Sequence, residues 1–255
     1  MDSLRDKIHT GTLTIGSWIT LAHPAIAEIM ANSGFDWLVV DLEHSVITIR
    51  EAEELIRVID LAGVVPLVRL TSNNSDQIKR VMDAGSHGVI VPMVNSAAEA
   101  ERAVQAVKYP LRGKRGFGLA RAQGYGAKFK EYLEWQEKRS VIIVQIEHID
   151  AVNNLESILS VDGIDGYIIG PYDLSGSMGI PGQFDHPDLL VVMEKIRVIA
   201  GKMNKSGGIH IVEPDAEQLQ IKINEGQKFI AYSVDIRMLD SACRDGLTKV
   251  KELRV

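Results

Sequence analysis

Eight short runs rich in Val, Ile and Leu recur along the chain, at Leu13–Ile19, Trp37–Asp41, Val65–Arg69, Gly88–Met93, Val141–Glu147, Gly166–Gly170, Gly208–Val212 and Phe229–Val234. Each is too short for a core helix and carries the β-branched enrichment of a buried strand. Between them the apolar spacing changes. Ala52/Leu55/Ile56/Ile59, Ile78/Val81/Met82, Val152/Leu155/Leu159 and Leu189/Met193/Ile196/Ala200 each line one face of a helix. Thr48 with Glu51, and Ser96 with Glu99, have the S/T-x-x-E spacing of helix starts. Strand and helix alternate across 255 residues with no composition break and no Ser/Pro-rich linker. That pattern predicts one α/β domain spanning 1–255, a (β/α)8 TIM barrel. An open doubly wound sheet is the competing fold. It needs a Gly-rich phosphate loop after the first strand, and Ile19-Thr-Leu-Ala-His-Pro24 offers none.

In a barrel, chemistry sits at the carboxyl ends of the strands. Gln145 and Glu147 are two apart, so they share a face of the fifth strand. Asp173 follows the sixth strand after a Gly-Pro turn. A lone buried carboxylate costs several kcal/mol, roughly, unless it meets a cation or donor. Two at neighbouring strand ends read as the protein ligands of a hard divalent cation; the plainer alternative is a pair of structural partners for Arg residues. The second strand ends Asp41-Leu-Glu-His44 and the third in Arg69, an inward cation that needs an anion. The two pairs of strands face each other across the mouth, with a cation site on one side and a base and a guanidinium on the other. His23, His148, His186 and His210 compete with His44 for the role of base, and His210, inside the seventh run, is the strongest of them.

A net charge of −6 argues against nucleic-acid or anionic membrane partners. No apolar run approaches a membrane span, the first residues lack a leader's apolar stretch, and the lone Cys243 suits a reducing cytoplasm. One segment breaks the rhythm. Leu111–Gly126, rich in Arg and Gly, leads into a Trp-containing helical stretch ending near Glu137, and is too long for a plain connection. It is expected at the barrel mouth, as an anion-holding lid or a subunit contact, beside a last helix running from about Arg237 to Leu253.

The runs Val39-Val-Asp-Leu-Glu-His-Ser45, Val89-Ile-Val-Pro-Met-Val94, Arg115-Gly-Phe-Gly118, Gln145-Ile-Glu147 and Ile169-Gly-Pro-Tyr-Asp-Leu-Ser175 resemble the HpcH/HpaI aldolase family. These are class II, metal-dependent hydroxy-keto-acid aldolases of the phosphoenolpyruvate/pyruvate barrel superfamily. The resemblance covers nearly the whole chain, from about Gly11 to beyond Val234. It implies metal ligation by Glu147 and Asp173, with His44 as proton acceptor, Asp83 raising the basicity of His44, and Arg69 stabilising the transition state. It further implies substrate contacts from Gln145 and from Gly170, Pro171 and Tyr172, where the family often has Ala in place of Tyr172. It also implies a trimer or hexamer whose subunits exchange the last helix.

The residue types suit that chemistry. Two carboxylates leave coordination positions open on Mg²⁺, with Mn²⁺ or Co²⁺ as alternatives, for the oxygens of a keto acid. The expected reaction is reversible cleavage of a 4-hydroxy-2-keto acid, possibly a keto-deoxy sugar acid, to pyruvate and an aldehyde. Two other classes stay open: a Claisen-type condensation or C–C cleavage on oxaloacetate or an acyl-CoA at the same enolate site, and a non-catalytic metabolite sensor.

Overall fold

All eight runs are strands: β1 (Thr14–Ile19), β2 (Trp37–Asp41), β3 (Val65–Arg69), β4 (Gly88–Val91), β5 (Val141–Ile146), β6 (Gly166–Ile169), β7 (Ser206–Ile211) and β8 (Phe229–Val234). Each pairs in parallel with the next, and β8 returns to β1 to close the barrel. The structure, a computed structural model, describes residues 2–252. Its helices are α1 (Leu4–His9), α2 (Pro24–Ala31), α3 (Ile49–Leu61), α4 (Ser75–Asp83), α5 (Ala97–Val107), α6 (Phe129–Arg139), α7 (Ile149–Asn153), α8 (Leu155–Leu159), α9 (Pro171–Ser177), α10 (Pro187–Lys202), α11 (Ala216–Asn224) and α12 (Asp235–Glu252).

Strand alternation splits the apolar residues into two cores. Ile142, Val144 and Ile146 face the surrounding helices, whereas Val141 and Ile143 face the barrel interior. Inside, the Trp37 indole lies flat on Phe229, with ring centroids 4.1 Å apart and planes 8° from parallel. Gly16 makes room for it, since a Cβ there would stand 2.0 Å from the indole. Helix α1 closes the amino end with Leu4 and Ile8. With only those two apolar positions it gives almost no periodic signal, and the sequence reading did not anticipate it.

Both predicted helix starts are present, by different means. Thr48 and Glu51 form the reciprocal capping box of α3. At α5 Ser96 accepts the Glu99 N–H, but the Glu99 carboxylate reaches back to the N–H of Asn95 instead, at 2.7 Å. Three histidines cap helices too. Nδ1 of His23, His148 and His186 accepts a backbone N–H at the start of α2, α7 and α10. That role removes them as rivals of His44.

The long segment is not at the mouth. Helix α5 carries the chain back toward the amino ends of the strands, so the connection from it to β5 lies at the opposite end of the barrel from the carboxyl face. Nor is it an anion-holding lid, because its arginines are already matched. Arg112 pairs with Glu137 and Asp162, Arg115 with Asp83 and Arg121 with Asp60. Phe117, Leu119 and Tyr125 are exposed on it.

Helix α12 starts at the mouth, where the Asp235 carboxylate accepts the N–H groups of Thr20 and Leu21 and ties β8 to the end of β1. Asp235 is the one buried residue of α12 among those described, and Ile236, Leu239, Leu247 and Val250 are exposed. Leu253, the expected end of this helix, lies outside the described residues.

The Gly16–Trp37 contact yields a test of the interior. Gly16→Ala overpacks a side chain clamped by Phe229 and is expected to lower Tm by roughly 5–10 °C. Adding Trp37→Phe should recover part of the loss. An unchanged melt would show that the indole moves freely.

Candidate active site

Barrel interiors are built in layers to which alternate strands contribute. The uppermost layer from β1, β3, β5 and β7 is Trp18, Arg69, Gln145 and His210. All four line a cavity of about 260 Å³ at the carboxyl end, together with His44, Gly170, Pro171, Tyr172 and Asp173. Glu147 opens onto an adjoining recess that shares Tyr172 and Asp173 with this cavity.

Glu147 follows β5 directly and is 3% exposed. One carboxylate oxygen accepts the Met93 N–H at 2.7 Å, and the other accepts the Gln145 amide. Met93 holds a left-handed φ of 51° to make its contact. Burial raises the pKa of Glu147; the two donors work against this and Asp173 adds to it. At Gly170 a Cβ would meet the Glu147 carboxylate at 2.8 Å, so only glycine lets the end of β6 close on this acid. Asp173 sits in the first turn of α9 rather than on the strand. Its carboxylate is in no hydrogen bond or ion pair with the described residues.

Across the mouth, Arg69 grips Asp41 with two donors, Nε to Oδ1 at 2.9 Å and Nη2 to Oδ2 at 2.6 Å. Its guanidinium lies 4.3 Å from the centre of the Trp18 ring. Burial opposes the charge on Arg69, but the hydrogen bonds and charge of Asp41 outweigh it and hold the pKa above its ordinary value. Asp41 also accepts the N–H groups of Glu43 and His44, and so shapes the turn that projects both. Glu43 stands 3.4 Å from Arg69 and 3.8 Å from Nε2 of His44. Burial first, then the nearby Glu147, Asp41 and Asp173, push its pKa to about 7 against the pull of Arg69. His44 is exposed at the rim.

The structure thus gathers His44, Arg69, Gln145, Gly170, Pro171, Tyr172 and Asp173 around one cavity, with Glu147 beside it. It does not bring Asp83 to His44. Asp83 ends α4 at the amino end of the barrel, where its carboxylate pairs with Arg115 at 2.6 Å. Tyr172 lines the cavity and stands edge-on to Phe184, with ring centroids 4.7 Å apart. Sequence reasoning assigned no role to Asp41 or Glu43. The alternation Trp37, Val39, Asp41 did place Asp41 inward, but the register that seats it opposite Arg69 is visible only in the sheet.

No group of three or more His, Cys, Asp or Glu among the described residues converges as a ready-made metal cage. Of the acids at the mouth, Glu147 and Asp173 share one recess, and two ligands suit an ion that keeps positions open for substrate.

A barrel mouth that sets the buried Glu147 and the exposed Asp173 against a locked cation suits carbon–carbon bond cleavage in small anionic substrates, and its relatives make this chain a carbon–carbon lyase. The profile of the HpcH/HpaI aldolase/citrate lyase family matches residues 14–242, and the chain belongs to that family. It is 34% identical over 241 residues to the hydroxypyruvate/pyruvate aldolase of Roseobacter denitrificans, covering 94% of this chain and 93% of the relative. It is 37% identical to the 4-hydroxy-2-oxo-heptane-1,7-dioate aldolase of Salmonella typhimurium, covering 93% and 90%. The crystal structure of an HpcH/HpaI aldolase from Desulfitobacterium hafniense superposes with a TM-score of 0.89 at 32% identity, covering 99% and 98%.

The raised Glu43 carboxyl gives a pH test. Its folded pKa lies above the ordinary 4.5, so the folded state holds the proton more tightly. That contribution to stability is complete below about pH 4.5 and lost as pH rises through about 7. Glu43→Gln should therefore gain on the wild type, in melts without added metal, between pH 5 and pH 8. A constant difference across that range would mean that Glu43 ionises normally.

Proposed function

We propose that the chain is a class II pyruvate aldolase that reversibly cleaves a 4-hydroxy-2-keto acid to pyruvate and an aldehyde, with a divalent cation held by Glu147 and Asp173. The observation that carries this reading is the opposition, at one barrel mouth, of two carboxylates to a guanidinium fixed by Asp41. The acids suit a hard ion. They offer only oxygen, and burial disfavours the charged form of Glu147 unless a cation answers it. Mg²⁺ fits such ligands best, with Mn²⁺ or Co²⁺ as alternatives. When bound, the ion supplies Lewis acidity at the keto group.

The remaining work falls to the chain's own side chains. Arg69 keeps positive charge where negative charge develops on the keto oxygen as the C3–C4 bond breaks, an effect worth about 3 kcal/mol for a well-placed donor. Asp41 stops that guanidinium from swinging away. Gln145 orients Glu147 and meets the substrate, and Gly170, Pro171 and Tyr172 wall the cavity on the β6 side. His44, at the open rim where an aldehyde enters or leaves, takes the C4-hydroxyl proton through water in cleavage and returns it in synthesis. An imine route lacks its lysine. None lines the cavity, and Lys228 precedes β8 at the amino end.

Asp83 and His44 lie at opposite ends of one barrel, so Asp83 serves His44 only from a second copy. The amino end that carries Asp83 also exposes Phe117, Leu119 and Tyr125, a surface suited to cover a neighbour's mouth. Helix α12, with its apolar residues uncovered, suits exchange between subunits. The reading is a trimer or hexamer with shared sites, acting on a small keto acid and an aldehyde. The lone Cys243 suits the cytoplasm, and no helix among the described residues is long and apolar enough to cross a membrane.

Pyruvate release, coupled to lactate dehydrogenase across a panel of 4-hydroxy-2-keto acids, tests the reaction. Chelation should abolish it, and Mg²⁺, Mn²⁺ or Co²⁺ should restore it. A borohydride-trapped enzyme–pyruvate adduct would refute the class II assignment. The shared site has its own test. His44→Ala and Asp83→Ala should each be inactive, and subunits of the two variants dissociated and reassembled together should recover activity. No recovery in verified mixed oligomers would separate Asp83 from the site.

A further inference from the structure

Cleavage as proposed above leaves one proton without a donor. Breaking the C3–C4 bond gives an aldehyde and the enolate of pyruvate, and C3 must then gain a proton to become a methyl group. His44 cannot provide it, because it is taking up the C4-hydroxyl proton. The other ionisable groups that act on Arg69 are Asp41, Glu43, Glu147 and His210. Asp41 is committed to the guanidinium and to two backbone N–H groups. Glu147 is a proposed ion ligand. Burial holds His210 neutral, with a pKa of about 4, and its Nε2 lies 3.1 Å from the carbonyl oxygen of Ser233. Glu43 is left.

The position of Glu43 suits the task. Its Oε2 lies 3.4 Å from Nε of Arg69 and 3.8 Å from Nε2 of His44. That oxygen is buried, and it accepts no hydrogen bond from the described residues. A carboxylate so placed loses water without gaining a donor, which favours the protonated form. The neighbouring acids favour it as well, and with burial they bring the pKa to about 7. A carboxyl group poised there can both give and take a proton near neutral pH. Arg69 answers the charge on the keto oxygen, and C3 is bonded to the carbon that carries this oxygen. An acid packed against the guanidinium therefore stands beside the carbon that needs the proton.

We propose that Glu43 is the general acid that protonates C3 in cleavage and the base that takes a methyl proton from pyruvate in synthesis, with one proton passing between it and His44. This rests on the aldolase reading and adds a catalytic residue to it. In cleavage the C4-hydroxyl proton goes to His44, and the O–H electron pair becomes the second bond of the aldehyde carbonyl. The C3–C4 pair becomes the double bond of the enolate. That pair then takes the Glu43 proton at C3 and restores the keto group. His44 hands its proton to the Glu43 carboxylate, so both side chains end as they began and nothing else is consumed.

Two isotope exchanges separate the steps. Labelled aldehyde enters intact 4-hydroxy-2-keto acid through breaking and remaking of C3–C4, with no proton added to C3. Exchange of the pyruvate methyl protons in deuterium oxide needs the C3 proton step alone. Glu43→Gln should slow methyl exchange and pyruvate release by about 100-fold while aldehyde exchange persists, and Glu43→Asp should recover part of the methyl exchange. His44→Ala should show the reverse pattern. Equal losses of both exchanges in Glu43→Gln would mark a structural role, and unchanged methyl exchange would mean that solvent protonates C3; either overturns the proposal. Should Glu43→Gln fail to fold, Glu43→Ala with added formate decides, because formate should restore methyl exchange and no restoration refutes the assignment. A wild type with methyl exchange that depends on Glu43 but without aldehyde exchange would sink the aldolase reading and leave Glu43 its role at C3. A wild type with neither exchange would sink both.

Discussion

The pairing of Asp41 with Arg69 organises the mouth of this barrel. Two adjacent parallel strands end in opposite charges at the same register position, and both side chains turn inward. Burying either alone would be costly, because each loses water that nothing else replaces. Together they satisfy each other through two short hydrogen bonds, and the remaining acceptor capacity of Asp41 goes to the backbone of the next turn. One carboxylate thus fixes where the guanidinium points and where Glu43 and His44 emerge. Without it the cation would be free to neutralise Glu147 and Asp173 across the cavity.

That arrangement keeps the acids opposite in an unsettled electrostatic state. Glu147 is buried and braced by the Met93 N–H and the Gln145 amide, yet these donors do not cancel the effect of burial on its charge. Glu43, close to the same acids, is displaced in the same direction, to about 7. A mouth holding this many carboxyl groups against one committed guanidinium is short of positive charge. Such a deficit is a property of the folded chain alone, and it explains why the chemistry argued from these residues calls for a cation from outside.

Most of the architecture is legible in the sequence because the signals are local. Runs such as Val141–Ile146 are apolar on both faces, which only a strand between two cores requires, and the helices between them carry clear 3.6-residue stripes. Several residues of the candidate site are legible for the same reason, since a polar side chain at the end of an apolar run has few explanations. What stayed hidden depended on distance in the chain. The Asp41–Arg69 register is a relation between strands, and the partners of Asp83 lie 32 residues away at Arg115. The placement of the Leu111–Gly126 segment was misjudged although direction alone decides it, since a connection from helix to strand must lie at the amino end. The histidines show the limit from the other side. His23, His148 and His186 precede helices at cap positions, a role their neighbours in sequence could have revealed, whereas His210 is defined by a carbonyl on the next strand.

The stacked Trp37 and Phe229 fill the barrel beneath the polar layer, and neither lines the cavity above. The interior is therefore a solid plug with a chemically distinct lid, and the two parts have separate tasks. The plug answers for holding eight strands in register, and the layer of Trp18, Arg69, Gln145 and His210 answers for what rests on it. A change in the upper layer alters the shape and polarity offered to a substrate without emptying the centre of the barrel. Such a division lets a lineage explore new substrates one side chain at a time, on a scaffold whose stability was secured a layer below.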